Sequence, residues 1–189
     1  MKLHGLALAA CLMVAGGAHA AVNNLALTGT LDLGDFGAPH TYADGFAVST
    51  SGTIDHSLTF TILTNLYAGS GVSDIPLNMT IGSSTTAITN IDNLSAKIFD
   101  SSNSLYATFV QNGDGDHLTL PADSFFAAGD YTLKIGGTAT GSAGGMYTVA
   151  AVTAPVPEPE TWGMLLAGLG LIGLRLRQRM RTPEQAIAA

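Results

Sequence analysis

Gly52-Thr53-Ile54-Asp55-His56-Ser57-Leu58-Thr59-Phe60-Thr61-Ile62 alternates without a break: Ile54, His56, Leu58, Phe60 and Ile62 fall on one side of an extended chain, and Thr53, Asp55, Ser57, Thr59 and Thr61 on the other. Successive side chains of a strand point to opposite faces, so this segment predicts a half-buried β-strand. The same period of two runs through Leu25, Leu27, Leu31 and Leu33, through Ile75, Leu77, Met79 and Ile81, through Tyr131, Leu133 and Ile135, and through Tyr147, Val149 and Ala151. Turn residues at Gly34-Asp35, Gly69-Ser70-Gly71, Asn112-Gly113-Asp114-Gly115 and Gly141 to Gly145 divide the rest into eight to ten short strands. No helical period persists in this region. The expectation is an all-β domain: a β-sandwich, jelly-roll-like, with two sheets hiding apolar faces against each other.

Composition agrees and excludes some functions. Between Ala21 and Pro155 two lysines, Lys97 and Lys134, stand against eleven aspartates and no glutamate, a net charge of −9. Such a surface repels phosphate backbones, which rules against nucleic acid as a partner. The single cysteine of the chain, Cys11, lies in an apolar leader, so the domain has no thiol for a disulfide, a metal or nucleophilic catalysis.

The two ends differ from the middle. Lys2, the apolar run Leu6 to Gly17 and the Ala18-His19-Ala20 site form a secretory signal peptide over residues 1–20, cleaved between Ala20 and Ala21. A competing lipobox reading of Leu8-Ala9-Ala10-Cys11 would make Cys11 the acylated first residue, but it leaves too short a hydrophobic stretch before the cysteine. At the other end, Pro155, Pro157 and Pro159 alternate in a stretch expected to be extended polyproline II. Trp162 to Leu174 then runs apolar, and Arg175, Arg177, Arg179 and Arg181 follow. Tryptophan at one end and arginines at the other are the interfacial and positive-inside anchors of a membrane helix. Thirteen helical residues span roughly 20 Å against a hydrocarbon core of about 30 Å, so the expected transmembrane helix is short.

Val156-Pro157-Glu158-Pro159, followed by Glu160-Thr161-Trp162, a glycine-rich apolar segment and the arginine cluster, resembles the PEP-CTERM sorting signal. The resemblance implies export through the general secretion machinery of a Gram-negative host that makes exopolysaccharide. It also implies transient anchoring in the inner membrane and processing by an exosortase-type membrane protease near the Pro-Glu-Pro motif. The hairpin residues Ala128 to Gly137 and Gly144 to Val149 resemble the FxDxF type of PEP-CTERM protein, whose motif falls around Ile54 to Phe60 with isoleucine in the leading position. The expected organisation is signal peptide 1–20, β-sandwich 21–153, sorting tag 154–181 and a disordered tail 182–189.

Catalysis finds little support. His40, His56 and His117 are present, but Gly-x-Ser-x-Gly, His-Glu-x-x-His and paired glutamates are not, and His56 sits on an apolar strand face. The chain is therefore read as no enzyme, with an extracellular hydrolase as the third reading. Asn112, Asp114 and Asp116, with Asp123 beyond them, are oxygen donors spaced like a calcium loop, although His117 replaces the glycine and Asp123 the bidentate glutamate of an EF-hand. Tyr42, Tyr67 and Tyr106 are candidates for stacking sugar rings. The preferred function is a surface or biofilm-matrix protein, structural or adhesive and associated with exopolysaccharide. A calcium- or carbohydrate-binding module is the alternative.

Overall fold

The computed structural model describes residues 21–113, 116–156 and 159–180. The expected signal peptide with Ala18 and Ala20, and the tail after Arg181, lie outside the described residues. The chain divides into two compact units that meet after Pro155.

The first unit is a β-sandwich. One sheet has the order β1 (Val22–Leu25), β3 (His40–Val48), β13 (Gly145–Pro155), β5 (Leu66–Asp74), β11 (His117–Phe126), β10 (Val110–Asn112). The other has β2 (Thr28–Phe36), β4 (Gly52–Ile62), β12 (Gly129–Ala139), β8 (Ile91–Asp100), β9 (Leu105–Thr108). Successive strands from β3 to β5 cross from sheet to sheet, and so do β11, β12 and β13. The eight strands β3, β13, β5, β11 and β4, β12, β8, β9 thereby form two interlocked Greek keys, the jelly-roll arrangement. Within the sheets neighbours are antiparallel except at one edge of each, where β1 lies parallel to β3 and β2 parallel to β4.

The strand predicted from Gly52 to Ile62 is β4, paired residue for residue with β12 from Gly52↔Ala139 to Ile62↔Gly129. Ile54, His56, Leu58 and Ile62 are buried, as are Tyr131, Leu133 and Ile135 opposite them. From the facing sheet, Phe46, Val48, Val72, Tyr147 and Val149 close the core, with Phe46 and Tyr147 stacked at 5.0 Å between ring centroids.

Three expectations need correction. The alternation from Leu25 to Leu33 is not one strand: the chain leaves one sheet edge after Leu25 and joins the other at Thr28, so β1 and β2 belong to different sheets. Ile75 to Ile81 is not a core strand. Leu77, Met79 and Ile81 stand exposed on β6 (Leu77–Ile81), which pairs with β7 (Ser84–Thr89) as a separate hairpin. Gly34 and Gly69-Ser70-Gly71 are not turns. Gly34, at φ +83°, serves a register shift inside β2, where a residue with a Cβ would be strained. Gly69 lies within β5, where an added Cβ would stand 2.8 Å from Ala122 Cα, in the irregular stretch of β11 between Leu120 and Ser124.

His56 is fully buried and joins three parts of the sandwich. Its Nε2 lies 2.7 Å from the Ala26 carbonyl at the crossover between β1 and β2, and its Nδ1 lies 2.6 Å from the Tyr147 hydroxyl on the facing sheet. A carbonyl can only accept, so Nε2 carries the proton, and in the neutral ring the Tyr147 hydroxyl donates to Nδ1. Tyr147→Phe removes that donor and leaves a buried ring nitrogen unpaired. Such a loss costs about 1–3 kcal/mol. Urea unfolding of this variant is expected to show an unfolding free energy lowered by that amount, seen as an earlier midpoint at an unchanged m-value; an unchanged midpoint contradicts the bridge.

Candidate functional site

The second unit centres on one helix, α1 (Pro159–Met180), of 22 residues. Proline at its first position fits, because a first-turn N–H needs no partner inside the helix and the ring fixes φ at a helical value. The proline-rich stretch is therefore shorter than expected, as Pro155 ends β13 and Pro159 begins α1. Pro155 is tolerated in β13 because that strand has outrun β3, whose register stops at Thr153↔His40, and pairs here with Leu66 of β5 alone. Of the sorting residues, Val156 is described, whereas Pro157 and Glu158 lie outside the described residues.

Met164, Leu165, Leu166, Leu169, Leu171, Ile172, Leu174 and Leu176 are all exposed, and at 100° per residue they point to every side of α1. The exposed apolar residues thus form no single stripe of the kind that marks an amphipathic helix. Arg175, Arg177 and Arg179 occupy its last turns, where cations also favour the negative end of the helix dipole. Trp162 lies in the first turn. Among the described residues no helix is long and apolar enough to cross a membrane. The expected transmembrane helix thus exists as a helix, with its apolar part cut short by Arg175 and Arg177.

Of the described members of the expected cation loop, Asp123 does not lie with the others. Asn112 ends β10 and its Nδ2 donates to Thr119 Oγ1 at 2.9 Å, while Asp116 lies in the turn before β11. The register sets His117 opposite Ser73 and Ser124 opposite Ala68, so Asp123 stands roughly 15 Å along the sheet from the turn, at about 3.3 Å per residue. That is several times the 2.3–2.6 Å of a calcium–oxygen bond. Asp114 lies outside the described residues, and among the described ones no three acidic, histidine or cysteine side chains gather to hold a metal.

The three candidate tyrosines also separate. The Tyr42 hydroxyl donates to Asp44 on the inner side of the sandwich at 2.7 Å. Tyr106 packs edge-on to Tyr131 and donates to the Phe125 carbonyl at 2.8 Å. Tyr67 lies opposite Phe125 in the β5–β11 register, on the outer face, with ring centroids 5.8 Å apart. Of the histidines, His56 has both nitrogens engaged inside the core, His40 packs edge-on against Phe36, and His117 Nδ1 lies 2.7 Å from Ser73 Oγ.

One unusual group had no signature in the sequence. Asp74, at the end of β5, is 4% exposed, and its Oδ2 accepts from the Ile91 N–H at 3.1 Å while its Oδ1 has no partner. Burial pushes its carboxyl above the ordinary value of 3.8; the Ile91 and Ile75 N–H groups pull it back and the charges of Asp116 and Asp92 push it up again. A carboxyl raised in the folded state holds its proton longer than the unfolded chain does, so its stabilising effect is complete below pH 3.8 and disappears as pH rises through the folded value. Asp100, lowered chiefly by the Ser102 hydroxyl, has the opposite sign and cancels in a comparison of variants. The stability of the natural chain minus that of Asp74→Asn is expected to fall as pH rises above 3.8; a flat or rising difference contradicts this placement.

Two solved structures resemble the chain at 13% identity and a TM-score of 0.36. The pre-peptidase C-terminal domain of collagenase from Bacillus anthracis covers 71% of this chain and 98% of its own. PliG from Aeromonas hydrophila, a periplasmic inhibitor of g-type lysozyme, covers 68% of this chain and 99% of its own. A comparison with curated proteins gives no match. The sequence of residues 155–179, from the last residue of β13 through Arg179 of α1, matches a family of sorting signals. The chain carries a PEP-CTERM protein-sorting motif, the signal that an exosortase, a membrane protease, recognises.

Proposed function

We propose that the chain is a surface or matrix protein that reaches the outside of a Gram-negative cell by the exosortase route and acts there by adhesion or spacing rather than by chemistry. The observation that carries this reading is the sorting-motif match over residues 155–179. In this account residues 1–20 are a signal peptide used by the general secretion machinery. The helix α1 holds the protein at the inner membrane for a time, with its arginines on the cytoplasmic side. A thinned bilayer and arginine side chains reaching for the headgroups accommodate the short apolar run, at a cost that suits a temporary anchor.

What remains outside the cell is the jelly-roll domain. Its outer strand faces carry threonine, serine and aspartate, and its most catalyst-like side chain, His56, is occupied in the core. Contact with an exopolysaccharide falls in this reading to the outward pair Tyr67 and Phe125, whose flat apolar rings are the kind of surface that sugar faces stack on.

Intact-mass measurement of the protein recovered from the cell surface and medium tests the route. The expected mass lacks residues 1–20 and everything beyond the Pro-Glu-Pro region; a surface form that retains Trp162 to Arg181 overturns it.

A further inference from the structure

Ala21 meets the sandwich through two bonds to one place on β3. Its N–H donates to Asp44 Oδ1 at 3.0 Å, and its carbonyl accepts from the Gly45 N–H at 2.8 Å. The second bond opens the parallel register Val22↔Gly45 to Leu25↔Val48 that attaches β1 to the sheet. Asp44 is itself held from behind, since the Tyr42 hydroxyl donates to its other oxygen, Oδ2, at 2.7 Å. A carboxylate with one oxygen braced by a phenol and the other turned to a main-chain nitrogen is a shaped acceptor for a positive charge.

We propose that Asp44 is a binding site for the new N-terminus of the mature chain: cutting between Ala20 and Ala21 turns the Ala21 amide into an ammonium, and that ammonium pairs with Asp44. The inference rests on the signal-peptide reading under Proposed function. Hydrolysis of the Ala20–Ala21 peptide bond gives the Ala20 side a carboxylate and Ala21 an amine, which takes up a proton at neutral pH. The bond to Asp44 thereby changes from amide–carboxylate to ammonium–carboxylate without any movement of the chain. Ala21 is exposed, so the remaining two N–H groups of the ammonium are free to meet water.

The charge environment favours this pairing. Residues in register with Asp44 and Gly45 are Val149 and Thr148 on β13 and Val22 on β1, none of which titrates. Leu33 of β2 lines the same apolar hollow as Tyr42. The titratable groups that face the pair are Tyr42 and, beyond it, Tyr147, with His56 behind Tyr147. The two lysines of the domain lie elsewhere, on β8 and β12, so among the described residues Asp44 has no side-chain cation as a partner. Burial and the adjoining Asp44 raise the Tyr42 hydroxyl well above its usual range, so it remains a donor throughout the titration of an amine. The consequence is directional: processing strengthens the hold on β1, and with it the start of the crossover whose Ala26 carbonyl binds His56.

The test uses the exported chain and its variants. N-terminal sequencing comes first; a start other than Ala21 overturns the processing reading and this inference with it. With Ala21 confirmed, the α-amine is titrated by nuclear magnetic resonance. A free α-amine titrates at about 7.7–8.0, and a partly exposed ion pair is expected to raise it by roughly half a unit. Asp44→Asn is expected to return it to the ordinary range, and Tyr42→Phe to return it part of the way. An amine that titrates alike in the natural chain and in Asp44→Asn overturns the inference while leaving the processing reading intact.

Should Asp44→Asn fold poorly, a chain carrying one extra serine before Ala21 displaces the ammonium with the carboxylate still present. Its melting temperature below pH 7.5 is expected to fall by about 1–3 °C relative to the chain that starts at Ala21. The difference is expected to shrink as pH rises past the amine's folded value, because a cation raised by its partner stabilises below that value and not above it. An equal melting temperature for the two chains overturns the inference.

Discussion

The arrangement depends on how the chain crosses between two sheets that no strand pairing joins, and His56 is the side chain that ties this crossing down. A sandwich closes by burying apolar faces, which is strong but non-directional. Directed bonds decide which strand lies over which. His56 reaches from the middle of β4 to the Ala26 carbonyl, where the chain passes from one sheet edge to the other, and to the Tyr147 hydroxyl in the centre of the facing sheet. Tyr147 in turn stacks on Phe46, two residues along β3 from Asp44. The edge strands β1 and β2, the two sheet centres and the start of the described chain are thereby linked through a few polar contacts set in an apolar core. The absence of cysteine from the domain leaves no covalent alternative to such contacts.

The sandwich was largely legible in the sequence because one face of each central strand is buried. The alternation in β4 and in Tyr131, Leu133 and Ile135 follows directly from that burial. The same rule misled where alternation arose without burial: Leu77, Met79 and Ile81 alternate in an exposed hairpin, as β-sheet propensity alone permits. It also misled at Leu25 to Leu33, where a period of two carries on across the change of sheets. Glycine carried two meanings that sequence alone does not separate. At Gly34 it supplied a positive φ with open space around it, and at Gly69 it made room for the backbone of Ala122.

The sorting signal was readable because its information lies in order and composition, with proline, an apolar run and arginines in succession. The acidic turn near Asn112 was less so, because ligand spacing along a chain says nothing about distance once β11 extends and carries Asp123 away from the turn. Asp74 and Asp44 had no signature for the opposite reason. Each is one aspartate among many in the sequence, and its character comes from the partners that the fold supplies: a buried oxygen without a donor for Asp74, a phenol and a main-chain nitrogen for Asp44.

The functional account assigns routing to the C-terminal unit and persistence outside the cell to the sandwich, so the sandwich must be specified by its own core. The bridge through His56 is the most exacting element of that core. Long-range proton–nitrogen correlation spectra of the His56 ring in nitrogen-15-labelled protein test it most directly. The account predicts a ring protonated at Nε2 with an unprotonated Nδ1; a proton on Nδ1, or two nitrogens averaged as in a freely exposed histidine, contradicts it.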